Sequence, residues 1–261
     1  MLIGTTGSGK STLGNCLLYP NTCMQVFYSS RDNKPETQFV QFAAGHFSPG
    51  AGKPPIQLKI IDTPGLNEDA EVDQLYKCEI KAVQKAEDIT ACILCVKFGS
   101  PIDTQYRETV RQYKELLPRL FQGKDNVIVV FTDFSMNPYA VRKREKSGYL
   151  REAYERNAVE EIVQAGELPC APKYFCIDSL PMMEVEHEVE CTMRARKAIF
   201  EHIGMLRSAN TLPNLFSECG VHAVLPIFSN YLRGTATPPA RGLSQRFEGT
   251  ALKTPGRCMV S

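Results

Sequence analysis

The sequence predicts an α/β protein, a mostly parallel sheet between two layers of helices in three-layer order, followed by an irregular carboxyl-terminal tail. Three observations predict it. Short apolar runs alternate with amphipathic stretches through about residue 208. Two of those runs, Ile60-Ile61 and residues 127–131, are apolar on successive positions, as strands buried on both faces are. A glycine-rich segment at residues 4–12 stands between the first apolar run and the first helical one. We therefore expect one α/β domain over residues 1–208 and a loosely ordered extension over 209–261, where Gly and Pro scatter without periodicity.

Each element has its own signal. Strands are expected at residues 1–3, 37–44, 56–61, 90–98, 126–132 and 173–177. The first is short: only Met1-Leu2-Ile3 precede the glycine segment, whereas a central strand normally has about five residues, so a strand cut short at its amino end is expected. Val72, Leu75, Tyr76, Val83 and Ala86 recur at helical spacing, as do Tyr106, Val110, Tyr113, Leu117 and Leu120, and both stripes are expected to face the core. Residues 139–165 and 186–207 read as charged, moderately periodic helices.

Composition removes several classes of function. With 43% hydrophobic and 23% charged residues, the chain of 261 is neither disordered nor collagen-like. No apolar run reaches the roughly 20 residues that cross a bilayer; residues 212–232 come nearest and contain Pro213, Glu218, Gly220 and Pro226. Thirty basic against 29 acidic residues leave a net charge of +1, so nothing draws the chain as a whole to nucleic acid. Ten cysteines are scattered without a framework, which favours a reducing, cytoplasmic setting. Cys92 and Cys95 are spaced like half a metal knuckle, but in a strand an offset of three puts them on opposite faces, and they are expected to be core thiols.

The chemistry begins at Gly4-Thr5-Thr6-Gly7-Ser8-Gly9-Lys10-Ser11-Thr12, which fits GxxxxGK[ST] between a strand and a helix. Glycines let the backbone wrap so that successive N–H groups converge on a phosphate, and the helix that follows adds its positive end. Lys10 would reach the β- and γ-phosphates, and the Ser11 hydroxyl would ligate Mg²⁺. A second element, Asp62-Thr63-Pro64-Gly65, follows an apolar strand. There Asp62 can hold a Mg²⁺-bound water, and the N–H of Gly65 can meet the γ-phosphate. Together these residues predict a P-loop nucleoside-triphosphatase fold.

Gly4–Asn15 (GTTGSGKSTLGN) with DTPG at 62–65 resembles the AIG type of G domain, the group that includes the GTPases of immunity-associated proteins (GIMAP) and is related to the septins and the chloroplast-import GTPases. The resemblance spans about residues 1–205. It implies a protein that binds GTP and GDP with Mg²⁺ and forms homo-oligomers when GTP-bound. It also implies that Thr37 sits in the first switch and completes the Mg²⁺ shell; a strand-start threonine is the alternative. Lys10 and Thr37 would then be the residues assisting catalysis.

Two departures bear on mechanism. Where Ras-like proteins carry a water-orienting glutamine, this chain has Leu66, which points to slow hydrolysis unless a partner completes the site. The guanine-reading [NT]KxD is replaced by Thr132-Asp133-Phe134-Ser135. Thr132 matches the family's start, but Ser135 falls where a carboxylate belongs, so either Asp133 substitutes or guanine preference is relaxed. Asp178 and Ser179, after the last strand, occupy the position of the family's final base-contacting loop; a helix cap is the alternative.

The chain ends Cys258-Met259-Val260-Ser261, a C-a-a-X pattern whose Ser favours farnesylation. Only Lys253 and Arg257 supply basic charge nearby, so membrane association through Cys258 would be weak, and a chance ending is the competing reading. Two other classes of function stay open on sequence alone. One is a P-loop ATPase or small-molecule kinase, and the other a degenerate G domain that serves as a non-catalytic interaction module.

Overall fold

A computed structural model describes residues 1–20, 25–28, 37–49, 52, 54–66, 69–146 and 151–206. The expected extension at 209–261, with Cys258, lies outside the described residues. The described elements follow in the order β1 (Leu2–Ile3), α1 (Lys10–Leu18), β2 (Gln41–Phe47), β3 (Ile56–Asp62), α2 (Ala70–Ala86), β4 (Cys92–Lys97), α3 (Thr104–Leu116), α4 (Pro118–Gln122), β5 (Val127–Thr132), α5 (Pro138–Lys146), α6 (Arg151–Gly166), β6 (Lys173–Cys176) and α7 (Glu186–Ile203). Six strands form one sheet in the order β2-β3-β1-β4-β5-β6. Among the described strands only β2 runs antiparallel to its neighbour.

The sheet divides the core into two. Tyr76 and Ile80 of α2, Val110 and Tyr113 of α3 and Ile162 of α6 pack on one face, with Cys92. Leu13 and Leu17 of α1 and Ile199 and Phe200 of α7 cover the other, with Cys95. The two cysteines thus lie on opposite faces, both buried. All six residues of β5 are buried, which accounts for its unbroken apolar run.

Local sequence sets the helix starts. The Asp69 side chain accepts from the N–H groups of Glu71 and Val72, and Asp103 accepts from Tyr106, so each caps the helix it precedes. Pro118 opens α4, where its missing N–H leaves nothing unpaired.

Three expectations need correction. The inward face of α2 is Asp73, Tyr76, Ile80 and Val83, and Val72, Leu75 and Ala86 are exposed. Periodicity alone permits either neighbouring stripe, and the pitch between Tyr76, Ile80 and Val83 decides for the one facing the sheet. The second strand begins at Gln41 rather than Thr37, which leaves Thr37 in the preceding loop. The helical stretch expected at 139–165 comprises α5 and α6, of which α5 buries no residue. The stripe on α3 through α4 is buried at every position named for it.

β1 is two residues long yet central, paired with β3 on one side and β4 on the other. Its carboxyl end therefore opens at the middle of the sheet. Parallel α/β sheets form their ligand crevices at that edge.

Candidate nucleotide site

The chain turns out of β1 at Gly4, whose φ of 143° suits only glycine, and a Cβ there would stand 2.7 Å from the Cys95 carbonyl oxygen. Gly9, with φ 82°, forms the amino-terminal boundary of α1 and supplies no side-chain cap. The first N–H groups of α1 are left to whatever the loop encloses. Lys10 is buried, and its ammonium donates to the Gly4 and Thr5 carbonyls at 3.3 and 2.9 Å. The side chain thus folds back over the loop that precedes it. Thr6 and Gly7 are exposed on the loop, Thr5 is half-buried, and Thr12 lies half-buried in the first turn of α1. Ser8 points inward, its hydroxyl buried and without a partner.

Beside the loop, three oxygen-bearing side chains converge. Ser11 donates to Asp62 Oδ2 at 2.6 Å, and the Thr37 hydroxyl lies 3.0 Å from Ser11 Oγ. Thr37 also hydrogen-bonds Asp62, so the three side chains share their protons within one cluster. Asp62 Oδ1 is buried with no hydrogen-bond partner. Burial raises Asp62 above its ordinary 3.8, against the opposing pull of the Ser11 hydroxyl, the Lys10 ammonium, the Thr37 hydroxyl and the Thr63 N–H. Two hydroxyls and a carboxylate with an unused buried oxygen are the hard donor set that Mg²⁺ takes. The residues present fit that ion. Thr37 stands in the loop before β2, beside Ser11, and does not open a strand.

Gly65 closes over the loop. A Cβ at this position would fall 2.4 Å from the Thr6 backbone nitrogen, so only glycine allows the approach. The next residue, Leu66, pairs with Thr5 in an isolated parallel bridge and is buried in the core. Its side chain faces away from the loop mouth.

The second group of expected residues gathers at the ends of β5 and β6. Thr132 is buried and donates to the Ser8 carbonyl at 2.7 Å, so it holds the phosphate loop from behind. Asp133 has φ 58° and is exposed, with its carboxylate 3.6 Å from Lys97 Nζ. Phe134 is buried between the guanidinium groups of Arg144 and Arg151, each 4.5 Å from its ring centre. Ser135 accepts from the Asn137 N–H through Oγ and from Arg144 through its carbonyl. Asp178 accepts from the Leu180 N–H at 3.0 Å, and its own carbonyl accepts from Thr192. Burial, then repulsion from Glu188 and Asp133, raises Asp178 above 3.8, while the Leu180 N–H and Ser135 hydroxyl lower it. The Ser179 hydroxyl is buried without a partner. The structure brings Asp133, Ser135, Asp178 and Ser179 to one corner, where Asp178 is partly buried and the carboxylate of Glu188 on α7 is buried nearby.

Some contributors carry no motif. Asn15 on α1 accepts from the N–H groups of Val26 and Phe27 and donates to the Phe27 carbonyl, fixing the segment before the first switch. The Asn of GTTGSGKSTLGN was legible as motif; its role was not. Lys97, at the end of β4, faces Asp133 only because β4 and β5 pair in the register Lys97↔Thr132.

A glycine loop opening from the central strand of a parallel sheet, with an acidic strand end beside it, defines a P-loop α/β domain. The chain belongs to the AIG1 family, whose model matches residues 1–166. A comparison with curated proteins finds no match. Among solved structures, Toc33 from Arabidopsis thaliana in complex with GDP and Mg²⁺ is similar, with 15% identity, a TM-score of 0.55, and coverage of 79% of this chain and 84% of that one. Toc33 in complex with Mg²⁺ and GMPPNP matches with the same values. A structure of the chloroplast translocon components atToc33 and psToc159, for which dimerization is important for GTPase activity, has 17% identity, a TM-score of 0.52, and coverage of 79% and 82%. At these identities the likeness is one of fold.

A raised carboxyl makes folding less favourable once it ionises. Stability linked to Asp62 is present below pH 3.8 and lost as pH rises through the raised value. Asp62→Asn is therefore expected to stabilise the metal-free protein at neutral pH by about 1 kcal/mol. It should also flatten the pH dependence and abolish Mg²⁺ binding at this corner. Denaturant melts across pH, with Mg²⁺ titration, measure all three.

Proposed function

We propose that this protein binds GTP and GDP with Mg²⁺, hydrolyses GTP slowly, and self-associates when the triphosphate is bound. The convergence of Ser11, Thr37 and Asp62 beside the glycine loop carries the reading. Mg²⁺, when bound, neutralises charge across the β- and γ-phosphates. The backbone around Gly7–Lys10 offers N–H groups to the phosphates, and Lys10 exchanges the Gly4 and Thr5 carbonyls for phosphate oxygens. Ser11 and Thr37 would hold the metal directly, and Asp62 would hold it through water. Gly65, lying on Thr6, reads the γ-phosphate through its N–H.

The base corner favours guanine over adenine. Guanine presents two neighbouring donors on its ring edge, whereas adenine presents a donor beside an acceptor. Asp178 offers carboxylate oxygens at the end of β6, with Asp133 and Glu188 close enough to raise its pKa. A corner rich in acceptors suits guanine, and we assign the ring-edge contact to Asp178 in place of the Ser135 position. Slow turnover follows from Leu66, whose side chain is committed to the core. Self-association is supported by Phe39 and Phe42, exposed beside the Thr37 loop, and by the dimerization named for the Toc33 structures. We propose the cytoplasm as its setting.

Calorimetric titration with GDP, a non-hydrolysable GTP analogue and ATP, each with Mg²⁺, is the direct test. Uptake of both guanine nucleotides but not ATP is expected, with dimer formation in sedimentation only with the analogue; ATP uptake alone would make this an ATPase or kinase. Asp178→Asn should lower guanine affinity about tenfold or more and favour xanthine nucleotides, because xanthine carries a carbonyl where guanine carries the amino group. Leu66→Gln should fail to speed hydrolysis in single-turnover assays and should destabilise the fold by roughly 2 kcal/mol, since it buries an amide without a partner.

A further inference from the structure

Tyr113 of α3 is fully buried beneath the site, and the motifs that announce the site do not include it. Its hydroxyl lies 3.2 Å from the Gly4 carbonyl oxygen and 3.3 Å from that of Pro64. One O–H thus faces an acceptor from each phosphate-handling segment, and burial raises the phenol far enough to keep it protonated. The Thr63 hydroxyl, which donates to the Leu2 carbonyl, also contacts this phenol.

A trans peptide is planar, and its C=O and N–H point in opposite directions. A Pro64 carbonyl drawn down onto Tyr113 turns the Gly65 N–H up and away from the core, on the side where Gly65 lies against Thr6. The Gly4 carbonyl, drawn to the same hydroxyl, likewise sets the Thr5 N–H. We propose that Tyr113 is a positioning residue for γ-phosphate recognition, its single hydroxyl orienting the Pro64–Gly65 and Gly4–Thr5 peptide planes together. The inference rests on the nucleotide reading above and names the residue that prepares Gly65 for its part in it.

Tyr113→Phe keeps the ring and removes the donor. By titration with Mg²⁺ present, its affinity for GDP should stay within about twofold of wild type, while affinity for a non-hydrolysable GTP analogue falls about fivefold to tenfold, the worth of one ordinary hydrogen bond. Amide exchange at Gly65 should lose the protection that the analogue confers on wild type. Tyr106→Phe is the control for a purely structural role. Its buried hydroxyl donates to the Cys95 carbonyl at 3.1 Å, so its loss should lower the melting temperature without moving the analogue-to-GDP affinity ratio. Should Tyr113→Phe not fold, 3-fluorotyrosine at 113 keeps the shape with a stronger donor, and the ratio should rise. An unchanged ratio and unchanged Gly65 protection in a folded variant would overturn the inference while leaving nucleotide binding intact. Failure of wild type to bind either nucleotide would instead overturn the parent reading, and this inference with it.

Discussion

The hydrogen bond from Ser11 to Asp62 joins two segments that are 51 residues apart in sequence and holds the site together. It fixes the end of β3 against the first turn of α1, directly beside the glycine loop. It also leaves the second carboxylate oxygen buried and unpartnered, an arrangement that opposes folding. A fold selected for stability alone would place an apolar residue there. A buried carboxylate that keeps one oxygen free, with two hydroxyls beside it, is the donor set that the proposed Mg²⁺ would use.

Around that bond the protein supports the phosphate loop from three directions. Thr132 holds it from β5 through the Ser8 carbonyl, Lys10 folds over it through the Gly4 and Thr5 carbonyls, and Tyr113 reaches it from α3 below. All three contacts fall on carbonyl oxygens. The Gly4, Thr5 and Ser8 carbonyls are thereby engaged by the protein itself. In the proposed reading an anion would be held by the loop's peptide N–H groups as much as by any side chain.

Much of the fold was legible in the sequence because its signals are local. The unbroken apolar run of β5 requires burial on both faces, and the GxxxxGKS spacing requires a strand before it and a helix after it. The α3 stripe was legible for the same reason, with every named position buried. The α2 stripe misled at Val72 and Leu75 because two adjacent faces of that helix are comparably apolar, and the sheet it packs against chooses between them. Thr132 was legible as a candidate site residue, but its hold on the Ser8 carbonyl was not, and neither was the contact of Tyr113 with Gly4. A threonine at a strand end and a tyrosine in a core stripe acquire their functions only through contacts 124 and 109 residues away in sequence.

The same distinction explains why the two ends of the site differ in how much they reveal. Phosphate recognition is done by main-chain N–H groups, so it demands glycine at particular conformations and cannot move along the chain without losing the motif. Base recognition is done by side chains, and any carboxylate that reaches the same point in space can serve. β5 and β6 are neighbours in parallel register, with Phe131 opposite Cys176, so the loops leaving their carboxyl ends open onto one corner. In the proposed reading the carboxylate absent at Ser135 is supplied by Asp178 without disturbing the phosphate loop, which Thr132 joins to this corner through the Ser8 carbonyl. On the proposed function the intact loop and the altered base motif are compatible features of one site, because they answer to different parts of the chain.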